Sequence, residues 1–171
     1  MAWIETIPPD RATGDLVDMY RRIADARGGV ASIHQAQSLN PRALSAHFEL
    51  YKAIMFQHSP LGRAKREAIA VAVSRANGCE YCVGHHTAAL AQLSDASTPL
   101  DPRLSAWAER LARRPEASSA QDIEELRSIG LSDRAILAAV LTVAYFCYVN
   151  RLVLATGLSL EPGFEATCRP A

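Results

Sequence analysis

Cys79 and Cys82 stand in the stretch Cys79-Glu80-Tyr81-Cys82-Val83-Gly84-His85-His86, close enough to close a disulfide with each other. His86 follows Cys82 by one helical turn and can take its proton. A lone carboxylate, Glu67, precedes them in an otherwise apolar helical stretch. This is the inventory of a redox-active dithiol. A free thiol with a pKa of about 8.5 is mostly protonated at neutral pH, whereas the thiolate is the nucleophile. Two cysteines in the first turn of a helix meet its positive end, which stabilises the anion. A histidine base with a carboxylate behind it completes a nucleophile, base and orienter.

Helix geometry sharpens the grouping. At ~100° per residue, Cys82 lies ~60° around the axis from Cys79, and His86 falls between them, ~20° from Cys79 and ~40° from Cys82. His85 is ~120° from Cys79, which predicts a position to one side, nearer the surface or a subunit contact. Gly84 leaves room for a substrate on that side. Asn77-Gly78 reads as the turn of an antiparallel hairpin. Glu67 then lies ~15 Å back from the turn and His86 ~12 Å forward of it, so their side chains arrive at nearly the same height. A chain of Glu67, His86 and Cys82, direct or through one water, follows from that geometry.

The elements around this hairpin are helices. Leu16, Met19, Tyr20 and Ile23 mark one face of a helix over 13–26. Asn40 caps a second, with Pro41 at its first position and Leu44, Phe48, Tyr51 and Met55 on its apolar face. An alanine-rich helix spans 63–76, and the thiol helix runs on to Leu93. Ser94 to Pro102 reads as a polar linker. Shorter helices follow over 106–113 and 121–128, the latter capped by Ser118 or Ser119, and Ser132 caps a long last helix that ends at Gly157. The tail 161–171, with Pro162, Gly163 and Pro170, is expected to be loosely attached. No stretch alternates long enough for a strand, so the fold expected is all-α, a single-domain bundle of about six or seven helices over 1–171, with the thiol hairpin at 61–94.

Bulk properties exclude several classes. The 171 residues are 49% hydrophobic and 21% charged, with 18 basic side chains balancing 18 acidic ones. Nothing in that balance attracts nucleic acid or an anionic membrane. Low net charge is compatible with self-association. No signal peptide is evident at Met1-Ala2-Trp3-Ile4-Glu5, and the apolar run 135–149 falls short of the ~18 residues of a membrane span. A cytoplasmic, reducing location is expected, where a C-x-x-C serves catalysis or metal binding more often than structure.

The set Glu67, Cys79, Cys82 and His86, with its spacings, resembles the AhpD-like alkylhydroperoxidases of the carboxymuconolactone decarboxylase superfamily. The helical layout, from Ile4-Glu5-Thr6-Ile7-Pro8-Pro9 onward, is similar to an uncharacterised peroxidase-related branch over most of the chain. The resemblance implies that Cys82 attacks the O–O bond of a small hydroperoxide and becomes a sulfenic acid. Cys79 would resolve it to the Cys79–Cys82 disulfide, with His86 and Glu67 as proton relay. It further implies a homo-oligomer, commonly a trimer or hexamer, with no metal or organic cofactor. The implied reductant is a dithiol partner, a lipoyl or thioredoxin-like protein, and some members reduce a peroxiredoxin. The best-known members have a histidine where this chain has Tyr81, so activation of Cys79 is expected to be weaker.

Other uses of these residues stay open. Cys79, Cys82 and His86 could hold zinc with His85 or Glu67 as fourth ligand, although the second ligand pair of a structural zinc module is missing. Glu67 could simply pair with Arg63 or Arg66 at the surface. Acid–base chemistry of the carboxymuconolactone decarboxylase type, or a non-catalytic redox or metal-binding scaffold, are the alternative functions. His47, beside Phe48 and Tyr51, reads as a core or interface histidine that could line a pocket. His34 and His58 are expected to be solvated, Cys147 to be inert packing, and Cys168 to sit in the tail. Asn150 and Arg151 are expected to hydrogen-bond across the bundle or an interface.

Overall fold

The computed structural model describes residues 2–93 and 99–168, and these are all helix and loop, with no strand among them. Eight α-helices run in order: α1 Asp15–Arg27, α2 Ser32–Gln35, α3 Pro41–Met55, α4 Arg63–Ala76, α5 Glu80–Ala91, α6 Pro102–Arg113, α7 Ala120–Ser128 and α8 Asp133–Thr156. The count exceeds six or seven because α2 is one short turn whose single apolar residue carries no periodic signal. Of the expected linker 94–102, residues 94–98 lie outside the described residues, and Pro102 already opens α6.

Local chemistry sets most helix ends. Asn40 accepts a hydrogen bond from the Ala43 amide, and Ser132 does the same for Ala135. Ser119, rather than Ser118, caps α7 in a reciprocal capping box with Asp122. Gly78, at φ 71°, takes the left-handed conformation that turns α4 back into α5. Cys79 is the N-cap of α5 rather than part of its first turn.

α4 is the hub, packing against α5, α6 and α8. Ile69, Ala70 and Val73 of α4, Phe146 and Val143 of α8, and Leu44, Phe48 and Met55 of α3 are among the fully enclosed residues. Each large apolar side chain so enclosed contributes roughly 1.5–3 kcal/mol. Arg66 is also buried and holds α4 to the end of α3, donating to the carbonyls of Ile54 and Gln57. α8, at 24 residues, is long and apolar enough by length and composition to cross a membrane, contrary to the short apolar run read from sequence. Half of its most apolar window is buried against the other helices, the pattern of a core helix.

The segment after α8 departs from expectation. Through Cys168 it is tied down, forming a 3₁₀ turn at Phe164–Thr167 that packs on α5 and α1. Glu161 accepts from the Ser32 amide at 3.0 Å, and Cys168 is 3% exposed. Its proline and glycine content suggested a loose tail, but the docking is made by side chains, which composition does not report.

Candidate active site

The α4–α5 hairpin brings Glu67 and His86 to one height, as their distances from the turn require. His86 Nδ1 meets Glu67 Oε2 at 2.6 Å. The other carboxylate oxygen accepts from Arg63, with Nε at 2.8 Å and Nη2 closer still. Glu67 is wholly buried, so the surface-pair reading is excluded, although Arg63 is indeed a partner. Burial alone would raise its pKa, but the charges and hydrogen bonds of His86 and Arg63 outweigh that and hold it below the ordinary carboxylate value. A carboxylate pinned on both oxygens fixes the imidazole and leaves its Nε2 as the working nitrogen.

The two thiols lie at the start of α5, Sγ to Sγ 2.9 Å, with Cys79 donating to Cys82. Both are free and buried. The first proton leaves this pair below the usual thiol range, because the remaining S–H hydrogen-bonds the anion. The second is held far above that range, because it would place two buried anions side by side. The Cys82 backbone amide favours the charge on Cys79, whereas Asn150 favours the anion at either thiol. Access favours Cys82, because Cys82 borders a cavity of about 60 Å³ and Cys79 does not. With the two sulfurs so close, access decides which one attacks.

That cavity is walled by His34, His47, Tyr51, Tyr81, His85, His86, Tyr145 and Phe146, with Cys168 at one edge. His86 and Cys82 therefore face the same space, but no direct hydrogen bond joins them. His85 corrects the surface expectation: it is 9% exposed, lying between the tilted rings of Tyr81 and Phe164, with Cys168 Sγ 3.6 Å from its Nδ1. Glu161 Oε1 lies 3.6 Å from its Nε2, and the Glu161 pKa is lowered to about 2, burial being outweighed by His85 and the Ser32 amide. Tyr81 spans from the Ile33 amide to Glu161, and burial pushes its phenol well above the ordinary value. Leu160 occupies the space beside Gly84, where an added Cβ would come within 2.8 Å of it, so the room expected for a substrate is filled by the chain itself.

His34 is corrected too: it is buried rather than solvated, and it lines the cavity together with Cys168 of the tail. Burial lowers the His34 pKa to about 3, and its Nδ1 has no hydrogen-bond partner. His47 does line the pocket, between Gln37 and Tyr145. Tyr145 was passed over in sequence because it sits in a continuous apolar run, and only its hydroxyl could have signalled it. Asn150 bonds across the bundle as expected, donating to Ser74 and accepting from Asn77, whereas exposed Arg151 donates only to its own helix, at Cys147 O. His58 is exposed. Among the described residues no group of three His, Cys, Asp or Glu side chains is disposed to hold a metal ion.

Residues 41–100, which include Glu67, Cys79, Cys82 and His86, match the carboxymuconolactone decarboxylase family. The chain is 26% identical to a solved uncharacterized peroxidase-related protein from Silicibacter sp. TM1040, over 97% of this chain and 92% of that one, with a TM-score of 0.77. An alkylhydroperoxidase AhpD core protein, also described as uncharacterized and peroxidase-related, from Ralstonia eutropha JMP134, is 23% identical over 99% and 97%, with a TM-score of 0.83. The debrominase Bmp8 is 21% identical over 97% and 96%, with a TM-score of 0.70. No curated protein matches the chain. The matched segment contains the whole Glu67–His86 and Cys79–Cys82 arrangement, and the all-α fold is shared with these structures over nearly the full chain, so the protein is similar to AhpD-like proteins and, over residues 41–100, to the carboxymuconolactone decarboxylase family.

Proposed function

We propose that this protein is a thiol-dependent peroxidase that reduces small organic hydroperoxides. The observation that carries the reading is the convergence of a hydrogen-bonded thiol pair and a fixed Glu67–His86 dyad on one cavity, which Cys82 and His86 both line. His86 takes the Cys82 proton, Glu67 stabilises the imidazolium, and the thiolate attacks the terminal oxygen of the hydroperoxide. The S–O bond forms, the O–O bond breaks, and the peroxide leaves as an alcohol. Cys79 then displaces water from the Cys82 sulfenic acid to form the disulfide. An external dithiol, such as a lipoyl or thioredoxin-like protein, regenerates the pair, or the pair passes its electrons to a peroxiredoxin. The protein works as a homo-oligomer in the cytoplasm. Fold alone does not name the reaction, since a debrominase shares it; the thiol pair beside the Glu67–His86 dyad is what supports the peroxidase reading.

Fully reduced protein mixed with stoichiometric cumene hydroperoxide is expected to lose two hydrogens, mapped to Cys79–Cys82, with the peroxide consumed. Cys82→Ser should abolish consumption, and Cys79→Ser should leave a sulfenic acid that dimedone traps. If Cys79→Ser instead removes the first step, the roles of the two thiols are reversed. Lactone decarboxylation that survives Cys82→Ser would establish the acid–base alternative.

A further inference from the structure

His47 on α3 and Tyr145 on α8 face the same cavity as Cys82, and neither has a role in the scheme above. His47 Nε2 and the Tyr145 hydroxyl are 2.6 Å apart, so one of them donates. Burial pulls the His47 pKa down to about 4, so its ring is neutral at neutral pH and carries a single N–H. Gln37 settles which nitrogen holds it. The Gln37 amide nitrogen donates to the Ile33 carbonyl at 2.9 Å, an acceptor that fixes that nitrogen in place. The same nitrogen lies 2.7 Å from His47 Nδ1, closer than the amide oxygen at 2.9 Å. Nδ1 therefore accepts, the ring hydrogen is on Nε2, and Nε2–H donates to the Tyr145 oxygen. The tautomer is assigned from its partners in this way. The phenol's own hydrogen is left without an acceptor among the described residues.

We infer that Tyr145 presents its O–H to the cavity and protonates the oxygen that leaves when Cys82 attacks a hydroperoxide. The inference rests on the peroxidase reading. Of the other groups lining the cavity, Tyr81 is bonded to Glu161, His85 lies beside Cys168 and Glu161, His34 holds a neutral ring, and the His86 imidazolium serves to recharge the phenolate. The step balances. The Cys82 thiolate forms a bond to the terminal oxygen and is oxidised by two electrons, the O–O pair departs with the RO fragment, and the Tyr145 proton converts it to ROH. The phenolate recovers a proton from the His86 imidazolium, which had taken it from Cys82. Burial raises the Tyr145 pKa, so the phenol stays protonated at rest, yet an alkoxide is basic enough to take its proton.

Single-turnover oxidation of the reduced protein by two peroxides tests this. tert-Butyl hydroperoxide expels a strongly basic alkoxide that needs an acid; peracetic acid expels a weakly basic carboxylate that does not. Tyr145→Phe should slow the first about 10²-fold and the second less than about threefold, with the pH profile of iodoacetamide alkylation unchanged. Gln37→Glu should reproduce the selective slowing with the hydroxyl intact, because a carboxylate accepts from Nδ1–H and turns Nε2 into an acceptor that captures the phenol hydrogen. Equal slowing with both peroxides, or a shifted alkylation profile, assigns Tyr145 to packing and overturns the inference. If wild-type protein is oxidised by neither peroxide, the peroxidase reading itself fails, a result distinct from either variant's behaviour.

Discussion

Glu67 shows how a single side chain ties stability to chemistry. It is fully enclosed, yet ionised, because Arg63 and His86 each take one of its oxygens. A buried charge robbed of its counter-charge typically costs about 3–5 kcal/mol. Glu67→Gln is therefore expected to lower stability by roughly that amount at neutral pH, read by urea denaturation, and to slow thiolate formation by freeing the imidazole. The pH dependence has a definite sign. The folded-state pKa lies below the ordinary value of 4.5, so this carboxylate contributes stability above that value and loses it as pH falls through the lowered one. The variant should lack that component of acid destabilisation; an identical acid limb in both proteins would show that Glu67 is not charged in the folded state. The position was legible in sequence as a polar residue among alanines, and its height opposite His86 followed from helical rise. That its second oxygen is held by Arg63 was legible only as one option among several.

At the scale of elements, the segment after α8 acts as a strap across α5. Leu160 lies against Gly84, Glu161 reaches Ser32, Tyr81 and His85, Phe164 meets the His85 ring at a tilt, and Cys168 lines the cavity. Glu161 is the polar anchor of this strap. Its pKa near 2 means that the docked form is favoured above the ordinary value of 4.5 and loses that contribution as pH falls toward 2. A charged hydrogen bond contributes about 1.5–3 kcal/mol, so Glu161→Gln should raise the open population about tenfold or more. Peptide mapping after N-ethylmaleimide treatment would show this as faster labelling of Cys168, which is shielded only while the strap is docked. Labelling at the wild-type rate would mean that apolar contacts alone hold the strap.

For the whole molecule, the outward side of α8 is the open question. Leu137, Leu141 and Tyr148 form one stripe along it and are 57%, 39% and 41% exposed. Three large apolar residues on one helix face suit a contact with another copy of the chain. Light scattering at micromolar concentration is expected to give an oligomeric mass, and Leu137→Glu with Leu141→Glu should reduce it to that of one chain. A monomeric mass for the wild type would leave the stripe without this role.

Helix positions, their caps and the pairing of Glu67 with His86 were determined by the sequence itself, because they depend on the rise and period of a helix and on turns a few residues long. Asn40, Ser119, Ser132 and Gly157 act within one turn of where they stand. The cavity wall was not so determined. His34, His47, Tyr145, His85 and Cys168 come from α2, α3, α8, α5 and the strap, and no local pattern relates residues so far apart along the chain. Their burial, the shifted pKa values of His34, His47, Tyr145 and Cys168, and the tautomer of His47 exist only once those segments pack together, excluding water and leaving each polar atom to the partners that packing supplies.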